Sequence, residues 1–325
     1  MPLTIWCNAK FNDAATRQLH ETIASRGHQL VVSEVASANV LAAGKADPKL
    51  ALADVAFGQP DPGDCLRSQK LRWVEVSTAG YSRYDTPEFR ETFRARGAAF
   101  TNASAVFSEP CAQHVLAMML ALGRNLLPAY GAQLTDHAWH YTEQRATAKL
   151  LTGQTVVMLG FGSIGRRLAE LLAPFGMKLY AVRRSVRSEV GVHIIPEEKI
   201  SATLPLADHV VNILPENEAT RNYVNARRLA CFKPGARFYN VGRGTTVDEK
   251  ALVDALQSGR LGAAYLDVFE PEPLAPSHPF WTTPNCFVTP HSAGGRHDQS
   301  EALVGHFLAN LAAFERGEAL HDRIV

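Results

Sequence analysis

Short apolar runs recur through the first hundred positions, at residues 3–6, 29–32, 55–57, 73–76 and 98–100, with polar, helix-compatible stretches between them. That alternation predicts a small α/β unit. Residues 106–128 then form one long helical pattern, with Ser108 or Glu109 near its start, apolar residues from Val115 to Leu122, and Pro128 beyond its stop. A helix this apolar is expected to lie buried between domains. From position 155 the strand and helix signals alternate more regularly, and residues 155–159, 178–182, 209–214, 237–241, 263–268 and 286–288 read as strands. Several are apolar on successive residues, the pattern of parallel strands covered on both faces, so a doubly wound sheet is predicted. A last helix over 298–315 carries Ala302, Leu303, His306, Phe307, Asn310, Leu311 and Phe314 at helical spacing. It follows the final strand and can return to the first domain, which would then comprise residues 1–102 and 296–325, with residues 103–295 inserted.

Two domains are also what 325 residues lead one to expect, because single cores rarely grow past about 250–300 residues. A net charge of +1 makes no electrostatic case for nucleic acid or a membrane surface as partner. Cys7, Cys65, Cys111, Cys231 and Cys286 are odd in number, scattered and without a C-x-x-C pair. They argue against a disulfide framework or zinc site and for a reducing cytoplasm. The N-terminus has no basic region leading into an apolar stretch, which argues against a secretory signal. The apolar segment from Val115 to Leu122 is too short to span a bilayer.

Gly160-Phe161-Gly162-Ser163-Ile164-Gly165 follows the first strand of the second region and opens a helical pattern that runs through Phe175 to Gly176. In such a turn the first glycine permits the bend, the second lets a pyrophosphate approach the backbone, and the third allows close helix–strand packing. The amides of Ser163 and Ile164 would face the phosphates at the positive end of the helix. The setting between strand and helix makes a dinucleotide the expected ligand. An S-adenosylmethionine-binding sheet is the competitor, and it leaves the downstream residues unexplained. NAD-binding chains usually place Asp or Glu about 20 residues after the glycines to accept from the ribose hydroxyls. Here the second strand runs into Arg183-Arg184-Ser185. Guanidinium groups cannot accept from hydroxyls but pair bidentately with a 2′-phosphate. NADP(H) is therefore the preferred cofactor, with NAD(H) the alternative should Arg183 only stack on the adenine.

Three stretches further on carry candidate reacting groups. Arg243, in Asn240-Val241-Gly242-Arg243-Gly244, follows an apolar strand end, and the flanking glycines would let backbone come close to a ligand. Its planar guanidinium suits a substrate carboxylate and can polarise a neighbouring carbonyl. His291, in Thr289-Pro290-His291-Ser292-Ala293-Gly294, follows the last strand, and histidine's ordinary pKa of about 6.5 suits a group that protonates an alkoxide. Glu272, in Asp267-Val268-Phe269-Glu270-Pro271-Glu272-Pro273, would orient His291 through the other ring nitrogen and stabilise its charged form. Asp267, also at a strand end, could accept from a nicotinamide carboxamide, while Glu270 reads as a solvated neighbour. A glycosidase-like use of Glu270 and Glu272 finds no support elsewhere in the chain. His137 and His140, which on one helical face could hold a metal, read instead as surface or subunit-contact residues, and no metal is expected.

Taken in order, these motifs resemble those of the D-isomer-specific 2-hydroxyacid dehydrogenase family, which includes glyoxylate/hydroxypyruvate reductases and phosphoglycerate dehydrogenases. The likeness covers the segment from Trp73 to Asp85 with Ala79-Gly80, the helix start from Asn102 to Arg124, the phosphate loop, and the stretches Asn240 to Gly244, Asp267 to Pro273 and Pro290 to Gly294. It implies an α/β fold, a Rossmann doubly wound parallel-sheet nucleotide domain inserted into a smaller flavodoxin-like substrate domain. It implies NAD(P)H-dependent reduction of a small 2-keto acid, such as glyoxylate or hydroxypyruvate, to the D-2-hydroxy acid. Arg243, Glu272 and His291 are the implied catalytic set, and Arg243, His291 and the amides around Ala79 and Gly80 the implied substrate contacts. Gly160, Gly162, Ser163, Ile164, Gly165, Arg183, Arg184, Ser185, Leu214, Pro215, Thr220, Val241, Gly242, Asp267 and Ala293 are the implied cofactor contacts. The resemblance further implies a homodimer built on the region between the long helix and the phosphate loop, with Trp139 reaching the partner, and cleft closure that excludes water. Formate dehydrogenases carry glutamine where Glu272 stands, and phosphonate-oxidising relatives a lysine near Ala79, so formate and phosphite are not expected substrates. Transcriptional corepressors share this fold with the catalytic residues retained. A cofactor-sensing binding protein is thus the alternative, disfavoured by the missing NAD-type acid.

Overall fold

The N-terminal alternation builds a parallel sheet. In chain order the elements are β1 (Thr4–Cys7), α1 (Asp13–Ser25), β2 (Gln29–Val32), β3 (Val55–Gly58), α2 (Pro62–Arg67), β4 (Trp73–Val76), α3 (Pro87–Arg96) and β5 (Ala99–Thr101). The strands pair in the order β2-β1-β3-β4-β5, the flavodoxin-like arrangement. β3 and β4 are buried at every position, and their side chains alternate between two apolar layers. Val55, Phe57 and Trp73 face the layer holding Leu19 and Ile23 of α1, whereas Ala56, Val74 and Val76 face Phe89 and Phe93 of α3. Asn12 and Thr86 cap α1 and α3 by accepting from the amides of Ala15 (3.0 Å) and Phe89 (3.1 Å). This is a computed structural model; it describes residues 1–35, 46–183 and 188–325, and divides into two units, Met1–Phe107 with Arg296–Val325 and Ser108–Gly295.

The long apolar helix α4 (Ser104–Gly123) starts four residues before Ser108. Asn102 accepts from the Ser104 amide (3.3 Å) and Asp322, from the far end of the chain, from the Ala105 amide (2.6 Å), a cap that local sequence could not announce. At 20 residues and mean hydropathy 1.3 this helix is long and apolar enough to cross a membrane by length and composition, which corrects the estimate made on residues 115–122 alone. Its apolarity has a packing cause. Ala112, Val115 and Met119 are fully buried in the core of the second unit. Pro128 does lie beyond the stop of α4, but in the first turn of a further helix, α5 (Leu126–Leu134), where its missing N–H costs nothing. The break between the two helices comes at Asn125, whose φ is +56°.

After α6 (Tyr141–Thr147) the second unit alternates β6 (Thr155–Leu159), α7 (Ser163–Leu172), β7 (Lys178–Val182), β8 (His193–Ile195), α8 (Ile200–Thr203), β9 (His209–Asn212), α9 (Ala226–Ala230), β10 (Ala236–Asn240), α10 (Glu249–Gln257), β11 (Leu261–Leu266) and β12 (Cys286–Val288). All seven strands are parallel, in the order β12-β11-β10-β9-β6-β7-β8. This is the Rossmann order with one further strand at the edge. The apolar runs are buried on both faces: Val157, Leu159, Val210 and Phe238 face one core layer, and Val156, Met158, Val211 and Tyr239 the other. The edge strand β8 was missed because three residues on a half-exposed rim carry almost no pattern.

The last helix, α11 (Gln299–Arg316), belongs to the first unit. Phe307 stacks on Phe57 (4.2 Å) and Trp73 (5.2 Å). Within this apolar stripe His306 and Asn310 meet a fully buried glutamate of β4. Glu75 Oε1 lies 3.0 Å from His306 Nδ1, and Oε2 accepts from Asn310 Nδ2 (2.7 Å) and Thr101 Oγ1 (3.1 Å). Asp322 Oδ2 stands 3.3 Å from the other ring nitrogen of His306.

Candidate active site

The strand order of the second unit reverses between β6 and β9, and open α/β sheets bind ligands at the strand carboxyl ends beside such a reversal. Gly160 leaves β6 there with φ +92°, and a Cβ on it would stand 3.1 Å from the Ile213 carbonyl oxygen, so the fold itself requires glycine. Gly162 differs. Among the described residues a Cβ there would meet no atom within 4 Å, and no side chain caps α7. Packing places no demand for glycine at this position, whereas a phosphate laid against the uncapped Ser163 and Ile164 amides would. Gly165 is buried in the helix behind them.

β7 pairs with β6 in the register Leu159↔Val182, so Gly160 and Arg183 leave adjacent strands at the same level. Arg183 Nη1 is 3.0 Å from Glu189 Oε1. Arg184 and Ser185 lie outside the described residues. Of the other expected cofactor contacts, Leu214 follows β9 and packs its backbone against Gly242, and Val241 is buried. The Thr220 hydroxyl is engaged by its own loop, donating to the Pro215 carbonyl (2.7 Å) and accepting from the Asn217 amide (3.0 Å). The residues present fit a dinucleotide: an uncapped helix start, a glycine that packing does not require, and a guanidinium at the neighbouring strand end.

The glycines around Arg243 have a cause different from the one expected. A Cβ on Gly244 would fall 2.1 Å from the Phe269 carbonyl carbon, and one on Gly242 2.8 Å from the Leu214 carbonyl oxygen. They admit protein backbone rather than ligand, and press the arginine loop onto the segment that leads to Glu272. Sequence reading missed the polar residues that hold this loop. Asn240 Oδ1 accepts from Asn212 Nδ2 (3.0 Å) and the Gly242 amide (3.1 Å), and Thr246 Oγ1 accepts from Asn212 Nδ2 (2.7 Å) and donates to the Arg243 carbonyl (2.6 Å). Asn212 and Thr246 are fully buried. The available signal was an asparagine directly after the apolar pair Val210-Val211 of β9. Of Arg243's five N–H donors, Gly242's carbonyl takes one, at 2.6 Å from Nη1.

His291 Nδ1 lies 2.7 Å from Glu272 Oε2, and Glu272 Oε1 accepts from the Phe269 amide (3.0 Å). Burial works against ionising Glu272. The hydrogen bonds from His291 and Phe269, with the charges of His291 and Arg243, outweigh it and hold the carboxyl below the usual range. The histidine sits at φ +52°, a left-handed conformation rare outside glycine. Asp267, 2% exposed, fixes that turn: Oδ1 accepts from Thr289 Oγ1 (2.5 Å) and the Ser292 amide (2.8 Å), Oδ2 accepts from the Ala293 amide (3.0 Å), and its carbonyl accepts from the His291 amide (2.9 Å). The Tyr265 hydroxyl joins at Thr289 Oγ1 (2.6 Å). Most of the accepting capacity once assigned to a nicotinamide carboxamide is therefore taken up by the turn that carries His291. Glu270 is exposed, and its amide donates to Glu249 (3.1 Å).

In the first unit, the loop after β4 carries Ala79 and Gly80. Asn102 Nδ2 donates to the Ala79 carbonyl (2.7 Å) and Thr78 Oγ1 to the Gly80 carbonyl (2.7 Å). The C=O and N–H of one trans peptide point opposite ways, so the Gly80 and Tyr81 amides are directed away from these partners. His137 and His140 share no helical face, because both precede α6, His137 in a turn with φ +54°. Among the described residues no group of three or more His, Cys, Asp or Glu is placed to hold a metal.

Residues 116–293 match the NAD-binding domain of the D-isomer-specific 2-hydroxyacid dehydrogenases. A glyoxylate reductase of Korarchaeum cryptofilum is 32% identical over 256 residues, 77% of this chain and 74% of that one. Among solved structures, a D-isomer-specific 2-hydroxyacid dehydrogenase from Xanthobacter autotrophicus in complex with NADPH and MES superposes with a TM-score of 0.82 at 26% identity, over 100% of this chain and 98% of the other. An NADPH-dependent glyoxylate/hydroxypyruvate reductase from Sinorhizobium meliloti, in complex with NADP and sulfate, gives 0.76 at 26% identity, over 99% and 98%.

Proposed function

Since the chain belongs to the D-isomer-specific 2-hydroxyacid dehydrogenases, NAD(P)-dependent oxidoreductases, we propose that it uses NADPH to reduce a small 2-keto acid of the glyoxylate or hydroxypyruvate kind. The observation that carries this reading is the 2.7 Å contact between His291 Nδ1 and Glu272 Oε2 beside Arg243. The Gly160 to Gly165 loop would hold the dinucleotide, which would supply the hydride for the keto carbon. Arg243 pairs with the substrate carboxylate and draws electron density from the adjacent carbonyl. With Nδ1 engaged by Glu272, the Nε2 proton of His291 goes to the carbonyl oxygen as it becomes an alkoxide. Glu272 keeps its charge and stabilises the protonated ring before transfer. Asp267 acts through the turn it shapes.

Arg183 supports NADPH over NADH, and the NADP(H) complexes of the two solved relatives agree with that preference. A homodimer is also part of the reading. Leu126, Tyr130, Leu134, Trp139, Tyr141 and Leu150 are all more than half exposed on the segment between α4 and β6, an apolar surface that a second copy would cover.

The test is NADPH oxidation against a panel of 2-keto acids with wild type and His291→Ala. Turnover of glyoxylate or hydroxypyruvate with a drop of about 10²–10⁴ in kcat for the variant is expected. Near-wild-type turnover by His291→Ala across pH would sink the assignment, and no turnover of any keto acid by the wild type would sink the activity.

A further inference from the structure

We propose that Glu189 is a built-in counter-anion at the adenosine end of the cofactor site and sets how strongly the protein selects a 2′-phosphorylated dinucleotide. The proposal rests on the NADPH reading and adds a residue outside every motif in the sequence. Its Oε1 lies 3.0 Å from Nη1 of Arg183 and 4.0 Å from Nη1 of Arg166, so one anionic oxygen sits between guanidiniums from the end of β7 and the early part of α7. The two elements meet where the phosphate loop leaves β6, since Val182 pairs with Leu159.

Glu189 is held in place by its own turn. Its carbonyl accepts from the Val192 amide (3.4 Å) across Gly191, whose φ is +74°, and the chain then enters β8 alongside β7. The side chains of Arg183 and Glu189 are each only 26% exposed, unlike a freely solvated pair.

A carboxylate and a phosphate monoester compete for the same guanidinium donors. The phosphate, with a charge of roughly −1.5 to −2, displaces the carboxylate, whereas a neutral ribose hydroxyl does not. Glu189 therefore opposes binding of a 2′-phosphate while leaving an unphosphorylated adenosine almost untouched. Selectivity for NADPH is weaker than the arginines alone would give.

The experiment is calorimetric titration of the whole protein with two probes, 2′,5′-ADP and 5′-AMP. Glu189→Gln and Glu189→Ala are expected to bind 2′,5′-ADP about fivefold more tightly than wild type, the upper range for a partly exposed ion pair, with 5′-AMP unchanged. Arg183→Ala should weaken 2′,5′-ADP alone, and adding Glu189→Ala to it should recover little, because the gain runs through Arg183. Unchanged or weaker 2′,5′-ADP binding in both Glu189 variants overturns the proposal, as does equal tightening of both probes, which would be a general charge effect. If Arg183→Ala still weakens 2′,5′-ADP in those cases, the NADPH reading stands. Undiminished 2′,5′-ADP binding by Arg183→Ala overturns that reading and the proposal with it.

Discussion

Two of the molecule's histidine–glutamate contacts, one in each unit, differ in everything around them. In the first unit the His306 side chain is 9% exposed and lies between two carboxylates, Glu75 at 3.0 Å and Asp322 at 3.3 Å. In the second, the His291 side chain is 32% exposed, meets Glu272 at 2.7 Å through Nδ1, and among the described residues has no carboxylate on Nε2. A ring closed on both sides joins elements: β4, α11 and the C-terminal tail. A ring held on one side and open on the other is oriented and still able to exchange a proton with something outside the protein. What separates the structural histidine from the candidate acid is the engagement of the second nitrogen.

The comparison breaks first if the buried pair can be dismantled cheaply. Glu75→Ala removes the buried carboxylate that Nδ1 of the charged His306 ring, Asn310 and Thr101 share, and should destabilise the first unit by about 3–5 kcal/mol. Denaturant unfolding followed by hydrogen exchange at β4 and α11 reads this directly, and a loss below about 1 kcal/mol would mean the triad contributes little. The pH dependence follows in size. Burial works against a charge on His306, but the hydrogen bonds to Asp322 and Glu75 and their charges prevail and carry it up to about 9 from an ordinary 6.5. The folded value lies above the unfolded one, so the stabilisation is complete below about pH 6.5 and disappears as pH rises towards 9, with an upper figure of roughly 3 kcal/mol. Protection of α11 should fall over that window in wild type and stay flat in His306→Gln.

The same contrast explains what could be read in advance. The parallel strands were legible because β6 and β9 carry apolar residues side by side at buried positions, Val156 to Leu159 and Val210-Val211, and the return of α11 because its apolar stripe needs a partner. The contact between Glu272 and His291 was legible because both lie in short motifs just beyond strand ends. Three things were hidden. The start of α4 depends on Asp322, more than two hundred residues away along the chain. The network of Asn212 and Thr246 beneath Arg243 consists of single polar residues at ends of apolar segments, and its pairing is purely tertiary. The glycines beside Arg243 were seen but misread, because local sequence cannot tell whether the space they leave is filled by ligand or by the Phe269 backbone.

The open pair can be tested by removing charge while keeping shape. Glu272→Gln still offers an oxygen to the Phe269 amide but no longer stabilises a protonated His291, and should lower kcat for keto-acid reduction about 10- to 100-fold. Because Glu272 is held below the usual carboxylate range, its interaction with His291 is present at and above ordinary carboxylate pKa values and is lost only as pH falls through the lowered one. The wild-type rate profile should therefore show no loss from this carboxyl at mildly acidic pH. A variant with unaltered kcat would make the glutamate a turn-former only.

The smallest effect probes how tightly the open ring is aimed. Thr289 Oγ1 joins Tyr265 (2.6 Å) to Asp267 (2.5 Å), and Asp267 in turn receives the amides of Ser292 and Ala293, so the hydroxyl supports the left-handed turn without touching the reacting atoms. Thr289→Val keeps the shape, removes both hydrogen bonds and leaves the two amide contacts. It should cost about 1–2 kcal/mol of stability and lower kcat roughly three- to tenfold, with the KM for cofactor little changed. Thr289→Ser, which restores the hydroxyl, should recover most of the rate. If the valine variant melts earlier yet turns over normally, the hydroxyl chain holds the fold alone. If kcat falls and serine restores it, the second unit has used buried polar groups to aim a ring rather than to close a core.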